Sequence, residues 1–474
     1  MRTLEAMAML VTCVTTLTAC GGDITDSPST TTSTTSGGTG GAPACSAIEA
    51  PTVARRFAES ADRGRGVGLG PTGELVFTGS FNIASDFGDD VVVAVGNKDA
   101  YVMALDPSGA TSWFHSYGSE SNSVSGTSVA VSPQGSVVVA GAVLYAVDFG
   151  GGQRCESAGA DQVFVLGLNA KGEHAYSICF GDDAVIDGPP SVVVDDAGDA
   201  IVAVRFTGSM SLGPAPLSAG GAAAVAVAKL NPNGHVLWAK LLGGQTAMMD
   251  LGGLAVAGSD IVVTGSLIGT VDFGNGPLKN QKEGIPNTFL VKLDSAGNAL
   301  WSKAFASTPS AGAAGVAVGP KGEIALTAEG HVSMSFGGPP VSMIGDRDAF
   351  LAVFDADGEH LWSKAIGSTK DDGAIGLAWS GDDTITLIMA ANDDINPGCG
   401  ELPINSLSGF VMARFDGQGH PLGAGVYPYL GVEGVVARGG RVALTGSLMA
   451  ADPLDLGGGK PAGEGGVVVA AWGP

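Results

Sequence analysis

The chain has 474 residues, of which 76 are glycine, 45% are hydrophobic and only 15% are charged. This composition is typical of many short strands joined by tight turns and argues against a helical bundle or a disordered chain. The formal net charge of −24 argues against a nucleic-acid partner, because nucleic acid is itself anionic. No apolar run of 18 residues follows the N-terminus, so no membrane-spanning helix is predicted.

The N-terminus has the pattern of a leader peptide. Arg2 precedes a short apolar segment, Ala6 to Leu17, and the tetrapeptide Leu-Thr-Ala-Cys ends at Cys20. This tetrapeptide resembles the bacterial lipobox, whose cysteine becomes the lipidated first residue of the mature protein. We therefore predict a lipoprotein signal peptide at 1–19 and lipidation of Cys20.

The segment 20–50 is predicted to be a tether between the lipid and the folded domain. Ser, Thr, Gly and Pro dominate it, and such a composition cannot bury enough apolar surface to offset the entropy of ordering. Gly21, rather than Asp, follows Cys20. By resemblance to envelope sorting, this favours the outer membrane. We expect a cell-envelope lipoprotein, exposed at the surface or facing the periplasm, that touches the membrane through its lipid alone.

A repeat of 60 to 63 residues fills the rest of the chain. The segments Asn287–Lys303 and Asp348–Lys364 are plainly related in sequence. The residues that we align with the tryptophan of these segments are Trp113, Tyr176, Trp238, Trp301, Trp362 and Leu422. A period this regular over a whole domain predicts a repeat architecture.

Each unit is predicted to contain four strands. In the unit ending near Trp362 these are Gly315–Val318, Ile324–Thr327, Asp348–Phe354 and His360–Ile366. An Asp/Asn-x-x-Gly turn joins the third and fourth strands and fits a type I turn followed by a left-handed glycine. The same turn begins at Asp106, Asn169, Asn231, Asp294, Asp355 and Asp416.

The number of units predicts a closed ring. Second strands begin near Leu75, Val137, Ile201, Ile261, Ile324, Ile385 and Val442. The last unit reaches its third strand, Val467–Trp472, and has no fourth, but Thr52–Phe57 resembles the fourth strand Leu300–Phe305. We predict an all-β fold over 51–474: a seven-bladed β-propeller of four-stranded antiparallel blades, closed by an N-terminal strand that completes the C-terminal blade.

The units resemble the bacterial β-propeller repeat family (SBBP) of secreted and lipid-anchored proteins, through Phe289–Asp294, Leu300–Lys303 and Thr264–Ser266. This resemblance implies architecture and secretion but no defined reaction. The Asp-x-x-Gly-x-x-x-Trp phrase is also similar to the tryptophan-docking repeat of pyrroloquinoline-quinone dehydrogenases and of an outer-membrane assembly lipoprotein. The quinone enzymes need calcium and cofactor ligands on one face, and the sequence has no such cluster.

Several short motifs recur with the blade and are interpreted as structural. Asp86-Phe-Gly88, Asp148-Phe-Gly150 and Asp272-Phe-Gly274 match a kinase metal motif but lack the other kinase elements. Equivalent histidines in different units lie too far apart to share a metal. With no catalytic motif found, we predict a chain that is not an enzyme and has no cofactor. Calcium at an Asp-rich loop is the one metal left open.

Four cysteines remain after the leader and the lipidated residue are set aside: Cys45, Cys155, Cys179 and Cys399. An even number in an oxidising compartment predicts two disulfides, and four thiols allow three pairings. Cys155 and Cys179 belong to one unit and fall on the same face of its blade. We therefore favour Cys155–Cys179, and Cys45–Cys399 follows by elimination.

The loops between second and third strands are the predicted functional surface, because long loops on a rigid scaffold commonly bind ligands. They carry acidic residues that we expect on one face of the ring: Asp86, Asp89, Asp90, Asp148, Asp272, Asp393, Asp394 and Asp455. We predict a monomeric, non-catalytic binding or scaffolding module for an unknown protein or polysaccharide. The alternatives are loops that merely cap the blades, an outer-membrane assembly scaffold, and a propeller hydrolase or quinone-type enzyme.

Overall fold

The computed structural model describes residues 46–57, 63–88, 91–120, 123–152, 154–155, 161–181, 184–213, 215–243, 247–279, 284–305, 311–404, 409–428, 430–448 and 466–473. Among these residues there is no helix of the length and apolarity needed to cross a membrane. The predicted signal peptide, Cys20 and the tether up to Cys45 lie outside the described residues, as do Asp89, Asp90 and Asp455.

The described strands form a seven-bladed β-propeller of four-stranded antiparallel blades, as predicted. From the inner to the outer strand, the first four blades are Arg63–Leu69, Leu75–Phe81, Asp99–Leu105 and Thr111–Tyr117 (blade 1); Ser123–Val131, Val137–Leu144, Asp161–Leu168 and His174–Phe180 (blade 2); Ser191–Val194, Ala200–Met210, Leu217–Leu230 and Val236–Leu242 (blade 3); and Ala247–Ala257, Asp260–Asp272, Asn287–Leu293 and Ala299–Phe305 (blade 4).

The remaining blades follow the same order. They are Ala311–Val318, Ile324–Gly330, Asp348–Phe354 and His360–Ile366 (blade 5); Gly373–Trp379, Thr384–Ala390, Gly409–Asp416 and Pro421–Pro428 (blade 6); and Leu430–Arg438, Arg441–Leu448, Val467–Trp472 and Val53–Phe57 (blade 7). Short extra strands are Ala84–Asp86, Val91–Val93, Val147–Asp148, Arg154–Cys155, Val185–Ile186 and Pro277–Lys279. We call the end of the ring that carries the second-to-third-strand loops the loop side, and the opposite end the turn side.

The N-terminal strand closes the ring. Val53–Phe57 pairs antiparallel with Val467–Trp472, with Val53 opposite Ala471 and Phe57 opposite Val467. The Thr52 hydroxyl donates to the carbonyl of Ala471 at 3.2 Å. The last blade is thus assembled from both ends of the described chain, and the predicted closure is confirmed.

Neighbouring blades are joined by aromatic side chains that dock on glycines. One aromatic residue in each outer strand of blades 1 to 5 packs against the glycine in the next blade's third-to-fourth-strand turn, and the pairs are Trp113–Gly172, Tyr176–Gly234, Trp238–Gly297, Trp301–Gly358 and Trp362–Gly419. Trp362 Nε1 also donates to the carbonyl of Gly417 at 2.9 Å. The sequence period therefore reflects a contact repeated from blade to blade.

Our alignment of the sixth unit was one residue off. Trp362 pairs with Val353, whereas the residue paired with the equivalent Arg414 is Gly423, not Leu422. In the described part of blade 7 the third strand, Val467–Trp472, pairs with the N-terminal strand Val53–Phe57, so the two are not joined by an Asp-x-x-Gly turn. Instead the N-terminal segment passes there, and a Cβ on Gly423 would lie 2.7 Å from the carbonyl oxygen of Ser46. Glycine at this position makes room for the incoming chain.

Candidate functional site

The Asp-Phe-Gly segments form the turns of short hairpins between second and third strands. The carboxylate of Asp86 accepts the amide of Gly88 at 2.7 Å, that of Asp148 accepts Gly150 at 2.8 Å, and that of Asp272 accepts Gly274 at 2.8 Å. An aspartate that holds its own turn in this way is an Asx turn. These contacts explain the recurrence of the motif without any metal or nucleotide.

The hairpins pack against the blades and insert a phenylalanine between neighbouring blades. Phe336 is fully buried, with its ring 5.4 Å from Phe305 of blade 4 and 6.1 Å from Phe350 of its own blade. Its hairpin reaches the outer strand, since a Cβ on Gly338 would contact the ring of His360. The hairpins therefore contribute directly to packing between blades.

The predicted acidic face is spread over four blades in the described structure. Asp86, Asp148 and Asp272 lie on separate hairpins of blades 1, 2 and 4. Only Asp393 and Asp394, both on blade 6, lie together. Asp394 accepts the amide of Ile404 at 2.8 Å, and the adjacent amide, Thr369 and Lys370 lower the pKa of Asp393.

One predicted disulfide is present in the structure. Cys155, on the hairpin of blade 2, is bonded to Cys179 on the outer strand of that blade, with 5.5 Å between their Cα atoms. Cys399 is also disulfide-bonded. Its predicted partner, Cys45, lies outside the described residues.

The inner strands of six blades contain a β-bulge near their loop-side ends, around the opening of the ring. There the register between the first and second strands shifts in blades 1, 2, 4, 5, 6 and 7. The bulged residue of blade 1 is Arg65 and that of blade 7 is Glu433, and they form a pair with 3.9 Å between Arg65 Nε and Glu433 Oε2. Arg63 Nη1 lies 3.2 Å from Glu433 Oε1. Bulges re-aim side chains, and here they bring charge to the mouth of the channel.

Glycines beside the bulges let the blade backbones meet around the mouth. A Cβ on Gly66 would lie 2.9 Å from Cα of Ser128, and one on Gly434 would lie 2.9 Å from the carbonyl oxygen of Arg65. Since real Cβ atoms do not approach so closely, these positions require glycine. The mouth encloses a cavity of about 330 Å³.

Two further arginine–carboxylate contacts lie toward the loop side of second strands, on blades 3 and 5. Arg205 pairs with Asp187 and, at 3.4 Å, with Asp250 of the next blade. Arg347 Nη1 lies 3.2 Å from Oε2 of Glu329. Burial raises the pKa of Glu329, and the charge of Arg347 opposes that rise. Glu329 stands where the related strands of blades 1, 4 and 7 carry serine.

Below the mouth, the inner strands enclose a well of about 440 Å³. The surface exposed inside the well is more polar than apolar, because aliphatic side chains of the inner strands, such as Val67, Leu69, Val129 and Leu377, are buried in the packing between blades. Arg438 lies at the turn-side ends of the inner strands, where its Nη1 donates to the carbonyls of Leu69 at 2.9 Å and Val131 at 3.1 Å. Asp196 lines the same well, so a guanidinium and a carboxylate both belong to its lining.

Sequence reasoning missed this site. No arginine is among the residues predicted for the functional surface, yet Arg65 lines the mouth of the central channel and Arg438 lines its well. A signal was available: both residues depart from the small or aliphatic pattern of the inner strands. Their convergence depends on packing between blades, which spacing along one strand does not reveal.

No metal centre is apparent in the described part of the chain. There, no group of three or more His, Cys, Asp or Glu side chains is arranged to hold a metal ion. Asp355 and Asp195, which begin Asp-rich turns of the sequence, accept amides of their own turns.

No family model matches the chain. Over 164 residues it is 25% identical to the regulatory protein FlaEY of Caulobacter vibrioides, an alignment covering 34% of this chain and 17% of that protein. The chain thus spans about a sixth of the length of this relative.

Among solved structures, the chain is similar to a gluconolactonase from Xanthomonas campestris (14% identity, 73% of this chain and 94% of that one, TM-score 0.32). It is also similar to a puromycin hydrolase (10% identity, 84% and 54%, TM-score 0.45). A third similar structure is a calcium-binding protein, regucalcin, from Agrobacterium tumefaciens (12% identity, 73% and 88%, TM-score 0.30).

Our prediction that the chain is not an enzyme is wrong, because we drew it from the absence of catalytic motifs alone. Two of these similar structures are enzymes by name, so the absence of familiar motifs does not exclude a reaction on such a propeller. At TM-scores below 0.5, however, the likenesses assign no reaction, substrate or catalytic residue to this chain.

Proposed function

We propose that this chain is a cell-envelope β-propeller that binds a small organic ligand in its central channel. The observation that carries the proposal is the well of about 440 Å³, which has the guanidinium of Arg438 and the carboxylate of Asp196 in its lining. Ligand sites are typically concave, with placed polar groups that fix the ligand's orientation and volumes of about 300–1,000 Å³. The charged mouth above the well would select what enters it.

The proposed location rests on the leader and on the cysteines. The sequence ending at Cys20 supports a lipid anchor, and the Cys155–Cys179 bond is of a kind that persists in oxidising compartments such as the periplasm and the cell surface. We propose an outer-membrane lipoprotein of SBBP type that contacts the membrane through its lipid. The proposed site moves from the acidic hairpins to the channel, since the hairpins are engaged in packing.

A pair of tryptophan substitutions tests the site. Ala437 lines the well, and Ala437→Trp would fill much of it with an indole. Ala296 is exposed in an outer turn of blade 4, so Ala296→Trp adds the same side chain far from the channel. With the dye 1-anilinonaphthalene-8-sulfonate as probe, we expect saturable one-to-one binding to the wild type and to Ala296→Trp, and none to Ala437→Trp.

Equal dye binding by all three proteins would contradict the proposal, because the dye would then occupy another surface. Thermal unfolding of each variant establishes that it is folded. A second measurement uses the native ligand: the protein isolated from its own envelope is denatured, and the released organic fraction is analysed by mass spectrometry. Incubating that compound with fresh protein then measures any conversion.

A further inference from the structure

Two opposite charges line the turn-side end of the well. Arg438 ends the inner strand of blade 7, and Asp196 lies in the turn that follows the inner strand of blade 3. They are the two charged residues of the described chain in the lining of the well. The carboxylate of Asp196 acts on the charge of Arg438, yet the two side chains form no ion pair in the described structure. The space between the two charges therefore belongs to the well.

Both charged groups can bind a further partner. Nη1 of Arg438 donates to the carbonyls of Leu69 and Val131, and the other N–H groups of the guanidinium fork remain. Asp196 is exposed, so its carboxylate is accessible. Glu74 also acts on Arg438, but its carboxylate accepts the amide of Thr72 at 3.1 Å in its own turn. A molecule held between Arg438 and Asp196 must accept hydrogen bonds at one end and donate them at the other.

The wall of the well consists of strand edges. Each inner strand is paired on one side only, with the second strand of its own blade. The backbone N–H and C=O groups of the opposite edge therefore have no strand partner in the described part of the chain. Side chains such as Val67 and Leu377 are buried, and the surface left to the well is more polar than apolar. A free strand edge is a template for pairing with another peptide.

We propose that the ligand is a short peptide with both termini free, bound with its C-terminal carboxylate on Arg438, its N-terminal ammonium on Asp196 and its backbone along the inner strand edges. This inference rests on the proposed function and specifies its ligand class. A guanidinium suits a carboxylate because its N–H groups form a planar fork. An ion of one sign would meet an opposing charge in the same well, and a neutral polyol would leave both charges unmatched.

Four forms of one dipeptide test the ligand class by calorimetry: alanylalanine, its N-acetyl form, its C-terminal amide, and the form capped at both ends. They share a backbone and are respectively a zwitterion, an anion, a cation and a neutral molecule. We expect alanylalanine to bind most tightly and each cap to weaken binding about fivefold, the value of one partly exposed ion pair. The comparison uses the wild-type protein alone, so it does not depend on whether a variant folds. Equal binding of all four, or tightest binding of a singly charged form, would overturn the proposal.

Substitutions then locate the two termini. We expect Asp196→Asn to weaken alanylalanine to the level of the N-acetyl form and to leave the N-acetyl form unchanged. Arg438→Gln should weaken alanylalanine to the level of the amide and leave the amide unchanged. Asp357→Asn is the matched control, because it removes an exposed carboxylate from an outer turn of blade 5 and should change neither. If Asp196→Asn weakens the N-acetyl form as much as alanylalanine, the ammonium does not lie on Asp196 and the inference is wrong.

The outcomes separate this inference from the proposed function. Four forms that bind the wild type equally, and that all fail to bind Ala437→Trp, would preserve the channel as a site but refute the zwitterion. If no form binds while the anilinonaphthalene dye does, the channel is retained and the ligand class is refuted. If no form and no dye binds, both proposals fail.

Discussion

The indole of Trp301, on the outer strand of blade 4, lies against the backbone of Gly358 in a turn of blade 5. A Cβ placed on Gly358 would lie 3.0 Å from Cδ2 of the indole, and Trp301 Nε1 donates to the carbonyl of Ala356 at 3.2 Å. The same glycine has a φ of +82°, which side chains disfavour. One residue thus meets two requirements, a left-handed turn and a close inter-blade contact.

We expect Gly358→Ala to destabilise the propeller by about 2–4 kcal/mol, because the new methyl group strains the turn and also displaces the indole. Gly322, in another turn of the same blade, has a similar φ of +87°, but its Cβ would make only an ordinary 3.5 Å contact with Ala356. Gly322→Ala should therefore cost about 1 kcal/mol, the backbone strain alone. Urea unfolding measures both, and equal losses would show that docking adds nothing.

The sequence predicted the blades well because each blade is built from local patterns. Alternating strands and Asp-x-x-Gly turns lie within one unit, and their period is visible without any knowledge of contacts between units. The predicted disulfide Cys155–Cys179 was also local. The features that were not predicted depend on contacts between residues that are distant in the sequence. Gly423 faces Ser46 from the far end of the chain, and Arg438 reaches the strands of blades 1 and 2.

Removal of the N-terminal strand should open the ring. Deleting residues 46–57 would leave Val467–Trp472 as an unpaired edge, and free edges promote association between chains. We expect this variant to aggregate or to unfold at a clearly lower temperature. The matched control is a circular permutant that begins at Arg63 and carries residues 46–57 after the C-terminus through a glycine-serine linker. Its unfolding midpoint should approach that of the wild type.

A deletion variant that stays monomeric and unfolds with the wild-type midpoint would contradict the role of this strand in closure. Size-exclusion chromatography and calorimetry at several concentrations distinguish that result from stabilisation by dimerisation.

Asp348 should make stability depend on pH in the acid range. Its side chain is fully buried at the start of a third strand, where Oδ2 accepts the amides of Ile344 and Gly345 and Oδ1 has no hydrogen-bond partner. Burial raises its pKa above 3.8, and the charge of Asp372 adds to the rise. The folded state therefore holds this proton more tightly than the unfolded state. Its stabilisation is present below pH 3.8 and is lost as pH rises through the folded pKa.

We expect Asp348→Asn to remove that loss and to stabilise the protein by about 1 kcal/mol at pH 7, with no gain below pH 3.8. Blade 4 already has asparagine, Asn287, at the equivalent position. Asp99→Asn in blade 1 is the control, because both oxygens of Asp99 accept backbone amides and the substitution sacrifices one bond. Guanidinium unfolding between pH 3 and pH 7 measures both variants. A constant difference across this range for Asp348→Asn would refute the assignment.

Cys399 should be bonded to Cys45. Cys155 and Cys179 are paired with each other, so the partner of Cys399 comes from Cys13, Cys20 and Cys45. Ser46, the residue after Cys45, accepts the amide of Ala424 at 3.2 Å. Pro421 lies on the same outer strand as Ala424, and a Cβ on Gly398, the residue before Cys399, would lie 3.8 Å from Cγ of Pro421. Residues next to both cysteines therefore approach this strand. Non-reducing digestion should therefore yield one peptide pair that joins Cys45 to Cys399.

This bond would protect ring closure from force on the lipid tether. Tension that enters at residue 45 would pass to the hairpin of blade 6 before it reached the five-residue closing strand Val53–Phe57. We expect Cys399→Ser to accelerate hydrogen exchange of the amides in Val467–Trp472, because the closing strand then loses a covalent restraint nearby. The double variant Cys155→Ser/Cys179→Ser breaks a bond of blade 2 and should leave those amides unchanged. Faster exchange in both variants would point to general destabilisation instead of a latch at this strand.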